Sequence, residues 1–423
     1  MPEMKDSGIE WIGLIPSDWS VEKGKYHFAY KKIIPGVQSS KYERLSLTLK
    51  GVIPRAKDDA DGLQPKDFNT YQLLRENELV FKLIDLQNVS TSRVGLSHDI
   101  DLVSPAYIII HENGDIVPEF AEKFYLMMWH REIFNALGDN GVRSSLNAGD
   151  LLNVPLCFPN KNKQKLIASF LEEKCGEIDS LLIDVQSEID ILEEYKRSII
   201  NEAVTKGLNS DVKMIQSGVQ WIDEIPEHWS IVPSKYLFRN SEERKREQDT
   251  LLTASQAYGI ITQTDYMNIT GMKIVLANQG VEKWKHVEPN DFIISLRSFQ
   301  GGLEMSEITG CITWHYVVLK ANIEVYHRFY KWLFKSTKYI NALQGTCNFI
   351  RDGQDLRYSN FSQVPLFVLP FDEQKKIADY LDSKVADIDF IIETKREQLS
   401  TLEEYKKSVI YEYVTGKKEV PLS

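Results

Sequence analysis

The sequence predicts an α+β protein in which two related domains of mixed α and β structure are separated by a pair of long antiparallel helices, an intramolecular coiled coil. Three observations support this fold class. Two long stretches carry heptad spacing of apolar residues, a 210-residue offset relates these stretches to each other, and the same offset relates two short tryptophan-containing segments. A period this long indicates a duplicated domain with its helix rather than a solenoid unit. The chain therefore has an internal pseudo-two-fold repeat.

The first long stretch runs from Gln164 to Gly207, and its apolar residues alternate at four- and three-residue intervals. This spacing is typical of a helix that pairs with another along a narrow seam. Lys196 interrupts the row. At 1.5 Å per residue the helix would be roughly 65 Å long, which favours a spacer role. Asn160 or Asn162 is the expected N-cap, and Gly207 is the expected C-terminal stop.

The second long stretch, Gln374 to Gly416, repeats the first without a gap and is identical at 18 of 43 positions. The run Leu-Glu-Glu-Tyr-Lys occurs whole in both, at residues 192–196 and 402–406. A helix with its partner in the same chain is the simplest explanation of two matching seams. The residues predicted to line the seam are Leu171, Ile178, Leu182, Val185, Ile189, Leu192, Ile199, Leu381, Ile388, Ile392, Leu399, Leu402 and Val409.

Two short segments precede the globular parts: SGIEWIGLIPSDWSV at residues 7–21 and SGVQWIDEIPEHWSI at residues 217–231, identical at eight of fifteen positions. Tryptophan and proline at fixed spacing predict a rigid, irregular segment packed on a core. The predicted divisions are a first domain at 1–159, a long helix at 160–207, a second domain at 208–370, and a long helix with a short tail at 371–423.

Each globular part contains short apolar runs separated by turn residues, followed by a helical pattern. In the first domain, strands are predicted at Tyr42–Leu49, Glu78–Leu83 and Ser104–Ile110, and a helix at Glu119–Leu137. The second domain repeats this plan with little identity. Its predicted counterparts are strands at Phe292–Leu296 and Tyr316–Leu319 and a helix at Tyr326–Leu343. A retained plan with a diverged surface is what two binders of different targets on one frame would show.

Composition describes an ordinary globular protein, with 43% hydrophobic and 26% charged residues. There is no run of 18 apolar residues and no secretory signal pattern at the N-terminus, so we expect a cytoplasmic protein without a membrane partner. The cysteines form no CxxC pair, which argues against a zinc site and for a reduced compartment. They are Cys157, Cys175, Cys311 and Cys347.

The net charge of −11 is unevenly distributed. Residues 20–159 carry 16 positive and 18 negative side chains, and residues 230–370 carry 16 and 13. Most of the acidic excess therefore lies on the long helices and the short segments before the domains. Local positive patches on nearly neutral domains can still bind DNA, although the total charge disfavours it.

No catalytic constellation is found. The sequence lacks GxGxxG, a P-loop, GxSxG and HExxH. The string nearest to the [DNS]PP[YFW] motif of DNA amino-methyltransferases, Ser104 to Tyr107, lacks the second proline. The run from Asp58 to Gly62 lacks the remaining ligands of a calcium loop and reads as a solvated turn. We therefore expect a protein without a catalytic site, metal or cofactor of its own.

With both helices and both short segments in view, the chain resembles the specificity subunits of type I restriction–modification systems over essentially its full length. The strings that carry the resemblance are SGIEWIG and LEEYKRSII, with FKLIDLQN at residues 81–88 and ISLRSFQGG at residues 294–302. The resemblance implies two target-recognition domains, each reading half of a split site in double-stranded DNA. It also implies two modification subunits that bind S-adenosylmethionine, and restriction subunits that use ATP and Mg²⁺, docked on a non-catalytic chain.

Base-edge recognition in the major groove relies mainly on Arg, Lys, Asn and Gln. Two related domains also suit the approximate dyad of duplex DNA, with half-sites about one helical turn apart. Polar and basic residues in loops of both domains are the candidate DNA contacts. They are Lys82, Asn88, Arg93, Arg143, Arg297, Asn348, Arg351 and Arg357.

Two alternatives remain at this point. The chain could be an assembly scaffold that docks partners without reading a sequence, although docking alone would not need two complete globular domains. It could also be the DNA-recognition part of a fused modification–restriction enzyme, although the missing methyltransferase motif disfavours that.

Overall fold

The computed structural model describes residues 3–59, 67–87, 91–138, 145–272, 280–295, 298–347 and 356–421. The chain divides into two compact units, Met1–Gln186 with Glu397–Ser423 (unit 1) and Ser187–Arg396 (unit 2). This division passes through both long helices, whereas the sequence suggested boundaries at their ends. Each globular domain packs on half of each helix, so each unit contains a domain and two helical segments.

The elements of the first half follow in chain order. Its strands are β1 (Met4–Asp6), β2 (Leu14–Pro16), β3 (Ser20–Lys23), β4 (Phe28–Tyr30), β5 (Arg44–Thr48), β6 (Gly51–Arg55), β7 (Gln72–Leu74), β8 (Leu79–Phe81), β9 (Val94–Leu96), β10 (Asp101–Val103), β11 (Ile108–Glu112) and β12 (Pro155–Phe158). Its helices are α1 (Pro118–His130), α2 (Ile133–Leu137), α3 (Ala148–Asn153) and the long α4 (Lys161–Lys206). Short 3₁₀ helices lie at Gly24–Tyr26 and Gly36–Lys41.

The second half repeats this order. Its strands are β13 (Met214–Val219), β14 (Ile222–Pro226), β15 (Ser230–Val232), β16 (Phe238–Ser241), β17 (Leu252–Ser255), β18 (Gly259–Thr262), β19 (Lys285–Val287), β20 (Phe292–Ile294), β21 (Glu304–Met305), β22 (Gly310–Ile312), β23 (Val317–Ala321) and β24 (Leu366–Val368). Its helices are α5 (Ser234–Leu237), α6 (Gln263–Thr270), α7 (Ser298–Gly301), α8 (His327–Lys335), α9 (Thr337–Gly345), α10 (Tyr358–Phe361) and the long α11 (Phe371–Val414). A 3₁₀ helix lies at Val281–Lys283.

The sheet next to the long helices has the same plan in both units. Its strand order is β4-β11-β8-β9 in unit 1 and β16-β23-β20-β21 in unit 2, with antiparallel neighbours throughout. The distal part differs. Unit 1 has a four-stranded sheet, β6-β5-β10-β7, whereas unit 2 has the separate pairs β17-β18 and β19-β22. The repeat has thus kept the sheet that packs on the two long helices, which are here called the frame. It has altered the strands of each domain that lie farther from these helices.

The helix predicted at Glu119–Leu137 is divided into α1 and α2, which corrects the sequence interpretation. Glu132 has φ 57°, a left-handed conformation that cannot continue an α-helix. The helix predicted at Tyr326–Leu343 is divided in the same way into α8 and α9. Ser336 is extended there, and its side-chain oxygen accepts from the backbone N–H of Tyr339 and caps α9.

The long helices α4 and α11 are continuous over 46 and 44 residues, as the heptad spacing predicts. The Asn160 side chain accepts from Lys163 N at 3.1 Å, which identifies Asn160 as the N-cap of α4. Gly207 follows the helix with φ 77°, as expected of a C-terminal stop. Within the described part of the chain, no helix combines the length and apolar character needed to cross a membrane.

In each unit the two helical segments run antiparallel, as predicted. In unit 1 the rings of Phe170 and Tyr413 lie 4.6 Å apart, and farther along α4 Asp179 contacts Lys406. In unit 2 Glu188 pairs with Lys395, and Lys196 pairs with Asp389. None of the thirteen seam residues is exposed: Leu182, Leu192, Ile199, Leu399 and Leu402 are half-buried and the others are buried.

Candidate nucleic-acid interface

In each unit a glutamine at the start of a long helix hydrogen-bonds to the backbone at the start of the domain helix. In unit 1 the buried Gln164 accepts from Val117 N at 2.7 Å and donates to Pro159 O at 2.8 Å. In unit 2 Gln374, its repeat counterpart, accepts from Tyr326 N at 2.8 Å and donates to Leu369 O at 2.9 Å. Both glutamines therefore satisfy the backbone at the start of the domain helix, α1 or α8, and set the position of the domain on the frame.

The lysine that interrupts the apolar seam makes an ion pair across it. Lys196 Nζ lies 2.5 Å from Asp389 Oδ1, and Lys406 Nζ lies 2.6 Å from Asp179 Oδ1. The two ion pairs are equivalent in the repeat, because Lys406 lies 210 residues after Lys196 and Asp389 lies 210 residues after Asp179. The side chains are partly exposed, so each pair contributes about 0.2–1 kcal/mol to stability and acts more on pairing register than on overall stability.

Two DNA-contact candidates of the first domain lie beside β8 and β9. The side chain of Lys82 is half-buried and donates to Thr91 Oγ1 at 3.1 Å, and burial lowers its pKa, with the nearby Arg93 adding to this. Arg93 is fully buried (0% exposed) and donates to the carbonyl oxygens of Ile84 and Asp85. Its guanidinium fastens the 82–85 backbone, so base contact by Arg93 would be incompatible with this conformation.

In the second domain the described candidate is Arg357, which is exposed at the start of α10, where its backbone N–H donates to Asn360 Oδ1 at 3.0 Å. The other predicted contacts lie outside the described residues. They are Asn88, Arg143, Arg297, Asn348 and Arg351.

A further surface, which the sequence interpretation missed, lies between β4 and β5. Residues 31–41, here called the first-domain loop, carry three lysines and no acidic residue. Two apolar side chains in it point to solvent: Ile34 is 52% exposed and Val37 is 86% exposed. The sequence does mark this loop as a basic run without acidic residues in an acidic chain, but it has no periodic spacing that would predict a structural element.

The equivalent position in the second domain, residues 242–250 between β16 and β17, is chemically different. This second-domain loop carries three basic and four acidic residues. Arg246 pairs with Glu243 at 3.3 Å and with Glu288 at 3.2 Å. Carboxylates in it can accept from cytosine amino groups, whereas lysines and apolar groups cannot.

Unit 2 also contains a buried charged network next to this loop. His286 is fully buried, with Nδ1 2.9 Å from Asp249 Oδ2 and Nε2 3.3 Å from Glu288 Oε1. Lys320 Nζ lies 2.8 Å from Glu288 Oε2, and burial raises the pKa of the neighbouring Asp291 to about 6. These groups satisfy one another and hold β19, β20 and β23 together. Among the described residues no group of His, Cys, Asp and Glu is arranged to bind a metal ion.

Comparison with known proteins points to one kind of protein. The chain is 24% identical over 316 residues to the type I restriction enzyme MjaX specificity subunit of Methanocaldococcus jannaschii, covering 70% of this chain and 68% of that one. No family model matches the chain. It therefore resembles type I specificity subunits in sequence, as the motifs predict.

Solved structures share the fold. One, from work on complex assembly and conformational transition of the type I R-M system, has a TM-score of 0.68 at 12% identity and covers 96% of this chain and 99% of its own. The HsdS subunit of Thermoanaerobacter tengcongensis has a TM-score of 0.50 at 12% identity, covering 96% and 98%. The α+β architecture with two domains and long helices is thus shared over nearly the full length.

Proposed function

We propose that this chain is the specificity subunit of a type I restriction–modification complex, which binds double-stranded DNA and reads a bipartite site. The first domain reads one half-site and the second domain reads the other. The observation that carries this proposal is a repeated frame that holds two domains through the same contacts, while the loops at equivalent positions differ in chemistry. A frame kept constant under changed loops suits the reading of two different sequences.

The frame also supports a proposal about partners. The partly exposed ion pairs of Lys196 and Lys406 recur at equivalent places on the long helices of the two units. A surface presented twice by one chain suits two copies of one partner. We assign that role to two modification subunits, with restriction subunits added to the complex. S-adenosylmethionine would be bound by the modification subunits, ATP and Mg²⁺ by the restriction subunits, and the chain itself would carry no catalytic centre.

Two other functions are less well supported. A scaffold that reads no sequence would not need loops as different as residues 31–41 and 242–250 on matching strands. The DNA-recognition part of a fused enzyme would also read DNA, but the sequence lacks the [DNS]PP[YFW] motif of DNA amino-methyltransferases.

Exchange of one domain tests the proposal. The chain is produced with its modification subunit in a host lacking other methylation, and the methylated motif is read by methylome sequencing. We expect a bipartite motif, of which replacing residues 208–370 by the equivalent domain of a relative changes one half. The control exchange of residues 1–159 should change only the other half. The absence of any bipartite motif, or a change of both halves by either exchange, would contradict the proposal.

A further inference from the structure

We propose that the first-domain loop is a base-reading element that recognises thymine. Ile34 and Val37 would contact thymine methyl groups in the major groove, and Lys31, Lys32 and Lys41 would hold the flanking phosphates. The inference rests on the proposed function, since it assigns a role to one loop of a DNA-reading domain. It also commits the first half-site to at least one A·T pair.

The loop is fixed to the domain at several points and so presents its tip in a defined position. Ile33 O accepts from Leu73 N at 2.8 Å, which ties the start of the loop to β7. Ser39 Oγ donates to Asn69 Oδ1 at 3.1 Å, and Lys57 Nζ donates to Ser39 O at 3.2 Å. The 3₁₀ helix Gly36–Lys41 forms the second half of the loop. A loop held in this way loses little conformational freedom on binding, which favours specific recognition.

The apolar tip has the chemistry of a methyl reader. Ile34 and Val37 are exposed, and Gly36, with φ 59°, makes the turn between them. The thymine C5-methyl is the apolar group that the major groove offers, and aliphatic side chains contact it. Gln38 is exposed beside Val37, and its amide has the donor and acceptor pattern that pairs with adenine.

Positive charge flanks this tip on both sides. Lys31 and Lys41 are exposed, and neither makes an ion pair with any residue that the structure describes. Lys32 is also exposed, and its ammonium group is positioned by a hydrogen bond that it donates to Pro105 O at 2.9 Å. Lysines placed on either side of an apolar reader match the phosphates that border a base pair.

The second-domain loop cannot make the same contacts. Five of its seven exposed residues are charged, and its acidic side chains would repel phosphates that the first-domain loop attracts. Arg246 is held by Glu243 and Glu288, and Lys285 lies 3.8 Å from Glu242. Thymine reading by the loop at this position is therefore assigned to the first half-site.

The test uses the full chain with its modification subunit and a duplex carrying the methylated motif found for the wild-type complex. Domain exchange identifies the first half-site. We expect binding to fall roughly threefold to tenfold when uracil replaces thymine in that half-site, as one or two buried methyl contacts are lost. In the variant I34S/V37S the two duplexes should bind alike. The matched control Leu49→Ser, at a 62% exposed position of the same domain, should keep the discrimination.

The lysines are tested separately through salt dependence. Lys31→Gln and Lys41→Gln should each reduce the steepness of the fall of log K with log salt by about 0.9 on any duplex, without altering the motif. A first half-site without an A·T pair, uracil tolerance by the wild type, or thymine discrimination that survives I34S/V37S would overturn the inference. In each of those cases a bipartite motif still supports the proposed function, whereas its absence would remove the proposed function itself.

Discussion

The two units place different chemistry around equivalent points of one frame. In unit 2 the indole N–H of Trp229 donates to Glu373 Oε1 at 3.2 Å. In unit 1 the equivalent Trp19 is buried and its indole nitrogen has no hydrogen-bond partner among the described residues, since the residue matching Glu373 is Lys163. The tryptophan has been kept and its acceptor has not. Packing of the ring is thus the shared requirement, and the hydrogen bond is an addition in one unit.

A second pair of equivalent points shows the opposite pattern. Glu172 in unit 1 and Asp382 in unit 2 occupy matching positions on the long helices, and each accepts from the domain helix. The donor is Lys123 Nζ at 2.8 Å in the first case and Trp332 Nε1 at 2.8 Å in the second. Burial alone would lower the pKa of Lys123, but Glu122 and Glu172 hold it above its ordinary value. Here the frame keeps the acceptor while the domain changes the donor.

The largest effects should be symmetric. Leu171 and Leu381 are equivalent, fully buried seam residues of units 1 and 2. We expect Leu171→Ala and Leu381→Ala each to cost about 2–5 kcal/mol, because each leaves a cavity in its own core. Hydrogen exchange with mass spectrometry, at increasing denaturant, would locate each loss in its unit. Leu181→Ala, at a 49% exposed position of α4, is the control and should change little. A clear difference between the two buried variants would break the symmetry of the frame.

Acidification should separate the units. Burial lowers the pKa of His130 in unit 1 to about 4, and Lys407 and Lys406 add to this. Between pH 6.5 and pH 4 the His130 imidazole is protonated in the unfolded chain but neutral in the folded unit. Unit 1 should therefore lose stability as pH falls toward 4. Burial of Asp291 in unit 2 raises its pKa to about 6, so folded unit 2 takes up a proton first and should gain stability as pH falls from 6 to 4.

The measurement is unit-resolved hydrogen exchange at pH 7 and pH 5, corrected for intrinsic rates. We expect a loss on the order of 1–2 kcal/mol in unit 1 and a gain of about 1 kcal/mol in unit 2. His130→Gln should remove the first change and Asp291→Asn the second. Parallel responses of the two units, unaffected by these variants, would show that other groups control the pH dependence.

The smallest effect should come from giving unit 1 the missing acceptor. Lys163→Gln places a neutral carbonyl at the position where Glu373 accepts from Trp229 in unit 2. We expect a gain of up to about 1 kcal/mol from pairing a buried N–H group. The present partners of Lys163, Asp18 and Glu419, lie 3.9 and 3.6 Å away and are largely exposed, so their loss should cost little. Glu373→Gln, which keeps an acceptor, should be milder than Glu373→Ala. Equal stability of the two Glu373 variants would show that the hydrogen bond is dispensable.

The frame was predictable because its signal is local and repeated. Heptad spacing fixed α4 and α11 to within a few residues, and Asn160 and Gly207 are ordinary cap residues. Lys196 looked like a defect in the seam, since its partner Asp389 lies 193 positions away and no local pattern connects them. The two domain helices were predicted too long because Glu132 and Ser336 break them through backbone conformation rather than composition.

The candidate interface was less predictable. Arginine in a loop suggests DNA contact, but Arg93 turns inward and donates to the carbonyl oxygens of Lys82, Ile84 and Asp85. The first-domain loop was missed because exposure of Ile34 and Val37 depends on how β4, β5 and β7 come together. Residue type alone does not separate an apolar side chain in a core from one at a tip.

The joint between the short hairpin β1–β2 and the end of α11 has a consequence for covalent connectivity. Lys417 Nζ donates to Ile12 O at 2.9 Å and Leu14 O at 2.7 Å, and Gly416 lies against Trp19. In unit 2 the same joint, Gly207 against Trp229, is crossed by the peptide chain itself, which runs through residues 208–213 into β13. Because unit 1 makes this joint without a peptide bond, the covalent link through residues 208–213 is not required to hold the corresponding joint in unit 2. A protease nick there would leave two fragments, each contributing to both cores, that stay together as one folded particle.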